Sequence, residues 1–472
     1  MNTIRRTWRN IKPLRMMSPY STPTHQPIAK QLQPILRNRI EPPKLYAWTP
    51  ADLSDNINNG SARPRKTEPS DPDEERRRIF VLGVGNIGRL YATFLAKLPN
   101  RPPITLVVHR RELLERWKAH PGIEMVRHGR TERTADFDIE WWTDAPPPLG
   151  PAREPGGATG IANLVVATKA ADALPQVARA MPYLGAGSTV AFTQNGVCRL
   201  WPPRGDAYLA ARLRGNPGPR WLACVTTHGV TSRGPFASVL ASPAAVLVGA
   251  VRPDDGGGTG WVRSNYLAGQ IVGAPGLAAR AAGSRELWAA QLEKLVVNSV
   301  INPLTAVLRC KNGEVFRGGQ DGLAEVIDML VEEASRTLAA LVEDRSSDVI
   351  LLMQEGVRDG KGVEDEETER ERLENIRSEL LERFSAARLR AMLYNVGAKV
   401  ADNKSSMLQD VVAGKKTEIE DFNGWLVETA KFLGDERGLP THEKLISLVE
   451  KGVMMTRGEL NEYFLGSRVD AK

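Results

Sequence analysis

Three polar side chains recur at one spacing inside an apolar run. The run is KLVVNSVINPLTA, Lys294 to Ala306, and Lys294, Asn298 and Asn302 stand four residues apart. On an α-helix that spacing stacks them on one face, while Leu295, Val296, Val297, Val300, Ile301 and Leu304 cover the rest. A lysine and two amides inside an apolar helix cost on the order of several kcal/mol unless something satisfies them. A ligand carrying carbonyl and carboxylate oxygens would do so. The competing reading is a helix end beside a second domain, its polar stripe facing water.

A second group of candidates lies where predicted strands end. RIFVL is followed by Gly83-Val84-Gly85-Asn86-Ile87-Gly88, which opens a helix. Gly83 allows a tight turn, Gly85 lets backbone approach a pyrophosphate, and Gly88 lets the helix pack closely. The helix N-terminus then faces the phosphates. An enzyme using NAD would usually place Asp or Glu at the end of the next strand to hold the ribose 2′-hydroxyl. Here the position reads His109-Arg110-Arg111. Guanidinium groups suit a 2′-phosphate, with Arg110 the better placed, so NADPH/NADP+ is the expected cofactor. Lys169 and Asn195 each end a predicted parallel strand, the edge at which open α/β sheets bind ligands. Late in the chain, SSMLQDVVAGKKTEIEDFNGWL offers Ser406 and Glu418. Capping is the plain alternative for both, with Ser405 starting one helix and Thr417-Glu418 opening the next.

These residues need elements to carry them. The chain has 472 residues, too many for one compact core, with ordinary hydrophobic (42%) and charged (25%) fractions. No run reaches the roughly 18 apolar residues of a membrane span. Buried strands alternate with helices from Arg78, which predicts a Rossmann-type, doubly wound parallel sheet over residues 77–283 that continues through RWLACVTTHGVTSRGP and AVLVGAV. From Ser284 apolar residues recur at helical spacing, predicting an all-α domain over 284–472. Within it lies a charged insertion near 345–383, read as a solvated helix with Glu366–Arg370 and Glu379–Arg383 pairs. Residues 1–76 are expected to form a disordered extension and linker, in which only PPKLYAWTPADL is suited to local docking. The net charge of +7 is concentrated there: residues 1–40 hold eight Arg or Lys and no acid. That is an argument about targeting rather than nucleic acid, and it reads as a mitochondrial transit peptide, with a cytoplasmic location as the alternative. The three cysteines are widely separated and match no zinc spacing.

Taken in order, GVGNIG, the lysine of ATKA, QNGV, KLVVNSVINPLTAV, SSMLQD with KKTEIEDFNG, and GLPTHEKL resemble the ketopantoate reductase (2-dehydropantoate 2-reductase) family over about 78–455. The resemblance implies a Rossmann domain, a helical domain and a cleft between them. It implies NADPH-dependent reduction of 2-dehydropantoate to (R)-pantoate, a step toward coenzyme A. By position, Lys294 matches the general acid, and Asn298 and Asn302 match substrate-binding amides. Ser406 matches a residue at the substrate carboxylate. Glu418 matches an acid that engages the substrate hydroxyl and supports Lys294. Lys169 and Asn195 match the cofactor–substrate junction. The long N-terminus, the loop near 145–160, the 202–220 segment and the charged helix depart from the compact pattern. They leave open another branched 2-oxo acid as substrate, a non-catalytic NADP(H)-binding regulator, and the oligomeric state, a homodimer included.

Overall fold

The computed structural model describes residues 43–53, 71–148, 152–201, 204–213, 217–252, 259–317, 322–353 and 366–466. The basic N-terminal segment read as a transit peptide lies outside them. The strands, in chain order, are β1 (Tyr46–Trp48), β2 (Ile79–Leu82), β3 (Ile104–Val108), β4 (Ile123–Arg127), β5 (Arg130–Thr134), β6 (Asp138–Thr143), β7 (Asn163–Val166), β8 (Thr189–Phe192), β9 (Arg220–Thr226), β10 (Gly229–Gly234), β11 (Ala237–Ser242), β12 (Val246–Ala250) and β13 (Ala279–Ala281). In the main sheet their order is β1-β6-β3-β2-β7-β8-β9-β12-β13. The six central strands, β6 to β9, are parallel. Every residue of β2, β3, β7 and β8 is buried, as strands covered on both faces must be. The chain leaves β2 toward β3 on one side and returns to β7 on the other. The crevice beyond β2 and β7 is therefore the switch point of a doubly wound sheet.

Two stretches depart from expectation. The extension expected to be disordered through residue 76 contains, within the segment suited to local docking, β1, which pairs antiparallel with β6 and sets Trp48 against Trp141 at 5.2 Å with the rings tilted, and also a helix, Pro72–Arg77, capped by Asp71. The expected continuation of the sheet after β9 is interrupted. Strands β10 and β11 leave to form a separate four-stranded sheet, β10-β11-β4-β5, and β12 then returns antiparallel to β9. The half-polar strands GVTSRG and ASVLAS suit a sheet with one solvated face, not the doubly covered interior.

One apolar cluster fills the face of the main sheet shared with the helical domain, joining Phe192, Trp221 and Val225 to Trp288, Leu292 and Leu295. A second fills the other face beneath the helix Asn86–Leu95. The helical domain is organised around one long helix, Ser284–Leu308, against which Ser406–Val412, Ile419–Phe432 and Pro440–Glu450 pack. The charged helix Glu366–Arg383 is not wholly solvated, since Ile376 and Leu380 are buried. Arg370 pairs with Glu374 at 3.0 Å, and Arg383 takes both oxygens of Glu293 at 2.7 Å. Arg383 thus uses a partner other than the Glu379 that helical spacing predicted, while the side chain of Glu366 lies outside the described residues. Among the described residues, no helix is long and apolar enough to cross a membrane.

Candidate active site

The glycine turn lies against the end of β7. Gly83 has φ +99°, and a Cβ there would sit 2.9 Å from the Ala167 carbonyl. A Cβ on Gly88 would lie 1.9 Å from Gly83 O, so only glycine permits the helix to start this close to the turn. Gly85 differs: a Cβ on it would meet no protein atom within 4 Å. Its neighbourhood is open, and the helix that follows has no side-chain cap on its first N–H groups. The glycine therefore leaves room for a ligand at exposed amides, which is the fit a dinucleotide pyrophosphate requires. Val84 and Ile87 pack into the apolar cluster below. The Asn86 side chain is already engaged, with Nδ2 donating to Val230 O at 3.3 Å and Oδ1 accepting from Ser238 at 3.0 Å, so only its backbone is left to a cofactor. We expect Gly88→Ala to weaken nucleotide binding by about tenfold or more, read by titration.

Arg89 is not singled out by the sequence motif, yet it braces this turn. It is buried, and its guanidinium donates to Gly234 O at 2.6 Å and Ala237 O at 2.7 Å, tying the turn to the small sheet. Burial lowers its pKa to about 10. At the end of β3, Arg110 is exposed and makes no ion pair with a described residue, whereas Arg111 is held by Glu115 at 2.8 Å. An exposed guanidinium therefore stands at the end of β3.

The second wall is built by the long helix. Lys294 is half-buried between the domains. Its Nζ donates to Asn195 Oδ1 at 2.9 Å and to Thr226 O at 2.5 Å, the ends of β8 and β9. Crowding by protein lowers its pKa to about 8, and the charge of Glu418 opposes that shift. One turn on, Asn298 is half-buried; a further turn on, Asn302 is buried, and its Nδ2 reaches Ser406 Oγ at 3.5 Å. Ser405, not Ser406, caps the helix Ser406–Val412, accepting from Leu408 N at 3.0 Å, which leaves the Ser406 hydroxyl for the site.

Glu418 occupies the cap position of the helix Ile419–Phe432 but makes no cap bond with its side chain. It reaches across to the first domain, accepting from Ala170 N at 3.3 Å and Lys169 Nζ at 3.4 Å. Its hold on Lys294 is through charge, while its contact is with Lys169. Asp410, one turn after Ser406, takes Lys169 Nζ at 2.6 Å. Burial would lower the Lys169 pKa, but Glu418 and Asp410 together outweigh it and the pKa is raised. Burial raises the pKa of Asp410. Asp410 went unnoticed in the sequence, although its spacing of four from Ser406 placed it on the same helical face.

The crevice thus joins an open glycine turn, an ammonium whose pKa is lowered to about 8, the amides of Asn298 and Asn302, a hydroxyl and an interdomain carboxylate–lysine group. Such a set can bind an anionic oxo acid and protonate an oxygen that gains charge.

The family model for ketopantoate reductase PanE/ApbA matches residues 79–253, and the model of its C-terminal domain matches residues 286–452. A ketoisovalerate reductase of Gibberella fujikuroi is 39% identical over 92% of this chain and 98% of its own. A Schizosaccharomyces pombe protein named as a probable 2-dehydropantoate 2-reductase is 25% identical over 75% of this chain and 90% of its own. The solved structure of D-mandelate dehydrogenase with NADH and anilino(oxo)acetate superposes with a TM-score of 0.54 at 16% identity, covering 79% of this chain and 98% of that one. At that identity it shows the shared fold.

Proposed function

Since this chain belongs to the ketopantoate reductase family, a family of 2-oxo acid reductases, we propose that it reduces 2-ketoisovalerate to the 2-hydroxy acid with NADPH, using Lys294 as general acid. The observation that carries the substrate is the 39% identity to a ketoisovalerate reductase along nearly the full length of both chains. Likeness to the protein named for 2-dehydropantoate is weaker and shorter. The pantoate reading implied by the motifs therefore becomes the second one.

A bound reduced nicotinamide nucleotide supplies the hydride. The glycine turn would hold its pyrophosphate, and Arg110 its 2′-phosphate. The chain's own residues do the rest. Asn298 and Asn302 on the long helix, with Ser406 on the helix Ser406–Val412, hold the oxo acid. Lys294 donates its proton to the C2 oxygen as charge develops there. Asn195 and the Thr226 carbonyl aim the ammonium. Lys169, Asp410 and Glu418 bridge the domains beside it.

The test is nucleotide oxidation with a panel of 2-oxo acids. The two leading substrates differ by a hydroxymethyl group. A pocket that hydrogen-bonds a hydroxyl rejects the analogue lacking it, whereas an apolar pocket discriminates only modestly. The expected kcat/KM for 2-ketoisovalerate exceeds that for 2-dehydropantoate by about tenfold or more. The reverse ranking would return the pantoate reading. In the same assay, Arg110→Ala should raise KM for NADPH about tenfold and leave NADH nearly unaffected. Equal use of both nucleotides by the unaltered protein would remove the argument from Arg110.

A further inference from the structure

The long helix contains a proline where its substrate-binding face lies. In an α-helix the carbonyl of residue 299 accepts from the N–H of residue 303. Residue 303 is proline, which has no N–H, yet the helix continues to Leu308. Ser299 is fully buried, so its carbonyl needs another donor. Asn423, on the helix Ile419–Phe432, supplies one: its Nδ2 lies 2.9 Å from Ser299 O.

We infer that Asn423 replaces the backbone donor that Pro303 removes, and is thereby a positioning residue for Asn298 and Asn302. The inference rests on the proposed role of those two amides in holding the oxo acid.

The surrounding hydrogen bonds admit only one arrangement. A backbone carbonyl only accepts, so the amide nitrogen of Asn423 must face Ser299. Its second N–H points to His442 Nδ1 at 2.9 Å. On the far side of the ring, His442 Nε2 meets Leu330 O at 3.1 Å, again an acceptor, so Nε2 carries the proton and Nδ1 the lone pair. Burial lowers the His442 pKa to about 4, in keeping with a neutral ring. The His442 backbone N–H donates to Glu333 at 3.2 Å, anchoring the relay to the helix Gly322–Glu343. Asn423 Oδ1 is buried with no partner among the described residues. The side chain is placed for its N–H groups, at the expense of its oxygen.

Ser299 and Pro303 bracket Asn302, and Asn298 immediately precedes Ser299. Lys294 lies a turn earlier and has its own anchors in Asn195 and Thr226. Loss of the Asn423 donor should therefore displace the amides more than the ammonium. For Asn423→Ala we expect KM for the 2-oxo acid to rise by about tenfold or more, with kcat and nucleotide affinity within about threefold. Amides 304–307 should exchange faster. Adding Pro303→Ala restores the helix's own N–H at the same carbonyl, and the double variant should recover both KM and exchange protection.

A single variant with unchanged KM and exchange overturns the inference, as does a double variant no better than the single. Where Asn423→Ala alone does not fold, a folded double variant with near-normal KM supports the inference and an unfolded one overturns it. Where the unaltered protein reduces no 2-oxo acid, the functional reading fails, and the exchange comparison still decides the structural one.

Discussion

Lys294→Ala is expected to lower kcat by at least about 10²-fold, because general acid catalysis is typically worth 10²–10⁴-fold. The expectation follows from what the site does to one ammonium. In water a lysine is a poor acid at neutral pH, holding its proton until about pH 10.4. Here burial brings the pKa down to about 8, close to the range where a group can both carry a proton and surrender it. The contacts with Asn195 Oδ1 and Thr226 O direct the donor toward the ends of β8 and β9, where the sheet edge faces the nucleotide turn. Alanine removes the proton and the positive charge that would stabilise the nascent alkoxide. Asn298, Asn302 and Ser406 remain, so KM should change less than kcat. Steady-state oxidation of the reduced nucleotide, with the 2-oxo acid varied, separates the two constants. A variant with near-normal kcat would end the assignment of Lys294 as acid.

Much of this arrangement could be read from local pattern. Apolar runs such as IFVL and LVV give buried strands, and the glycines between a strand and a helix give the turn, because each needs only neighbouring residues. The polar stripe was legible for the same reason: four-residue spacing on one helix is a local property. What escaped depends on partners far along the chain. Tyr46–Trp48 is three residues long, and its strand partner begins at Asp138. The departure of β10 and β11 to a second sheet is set by pairing with β4, more than a hundred residues earlier. Lys169 was placed at a strand end, but its partner Asp410 is 241 residues away. Arg383 had a suitable acid one turn before it and instead pairs with Glu293, 90 residues distant. Helical spacing offers such pairs only a few tenths of a kcal/mol, about what solvent screening removes, so tertiary geometry decides between them. Pro303 lies inside the run read as a helix, and only the fold shows that another helix provides the donor it lacks.

The second large effect concerns Glu418. Its charge raises the pKa of Lys294 against burial, so the value of about 8 is a balance of two opposed influences. Glu418→Gln keeps the shape and removes the charge, leaving burial with less opposition, and the pKa must fall. Lys294 donates only while protonated, so kcat declines as pH rises through that pKa. The alkaline limb of the kcat profile should therefore move to lower pH in the variant. If the limb moves by about one unit, kcat at pH 9 drops about tenfold relative to the unaltered enzyme while the acid plateau is little changed. Lys169 retains Asp410 at 2.6 Å, so the domains keep one bridge and the variant should fold. A uniform loss of kcat at every pH would mean that Glu418 acts by holding Lys169 and Ala170 in place and not through the charge of Lys294. A limb moving to higher pH would contradict the electrostatic argument outright. Measured across pH 6–10, the profile separates these roles, because only the charge acts on a proton equilibrium while a lost bridge lowers the rate at all pH values alike.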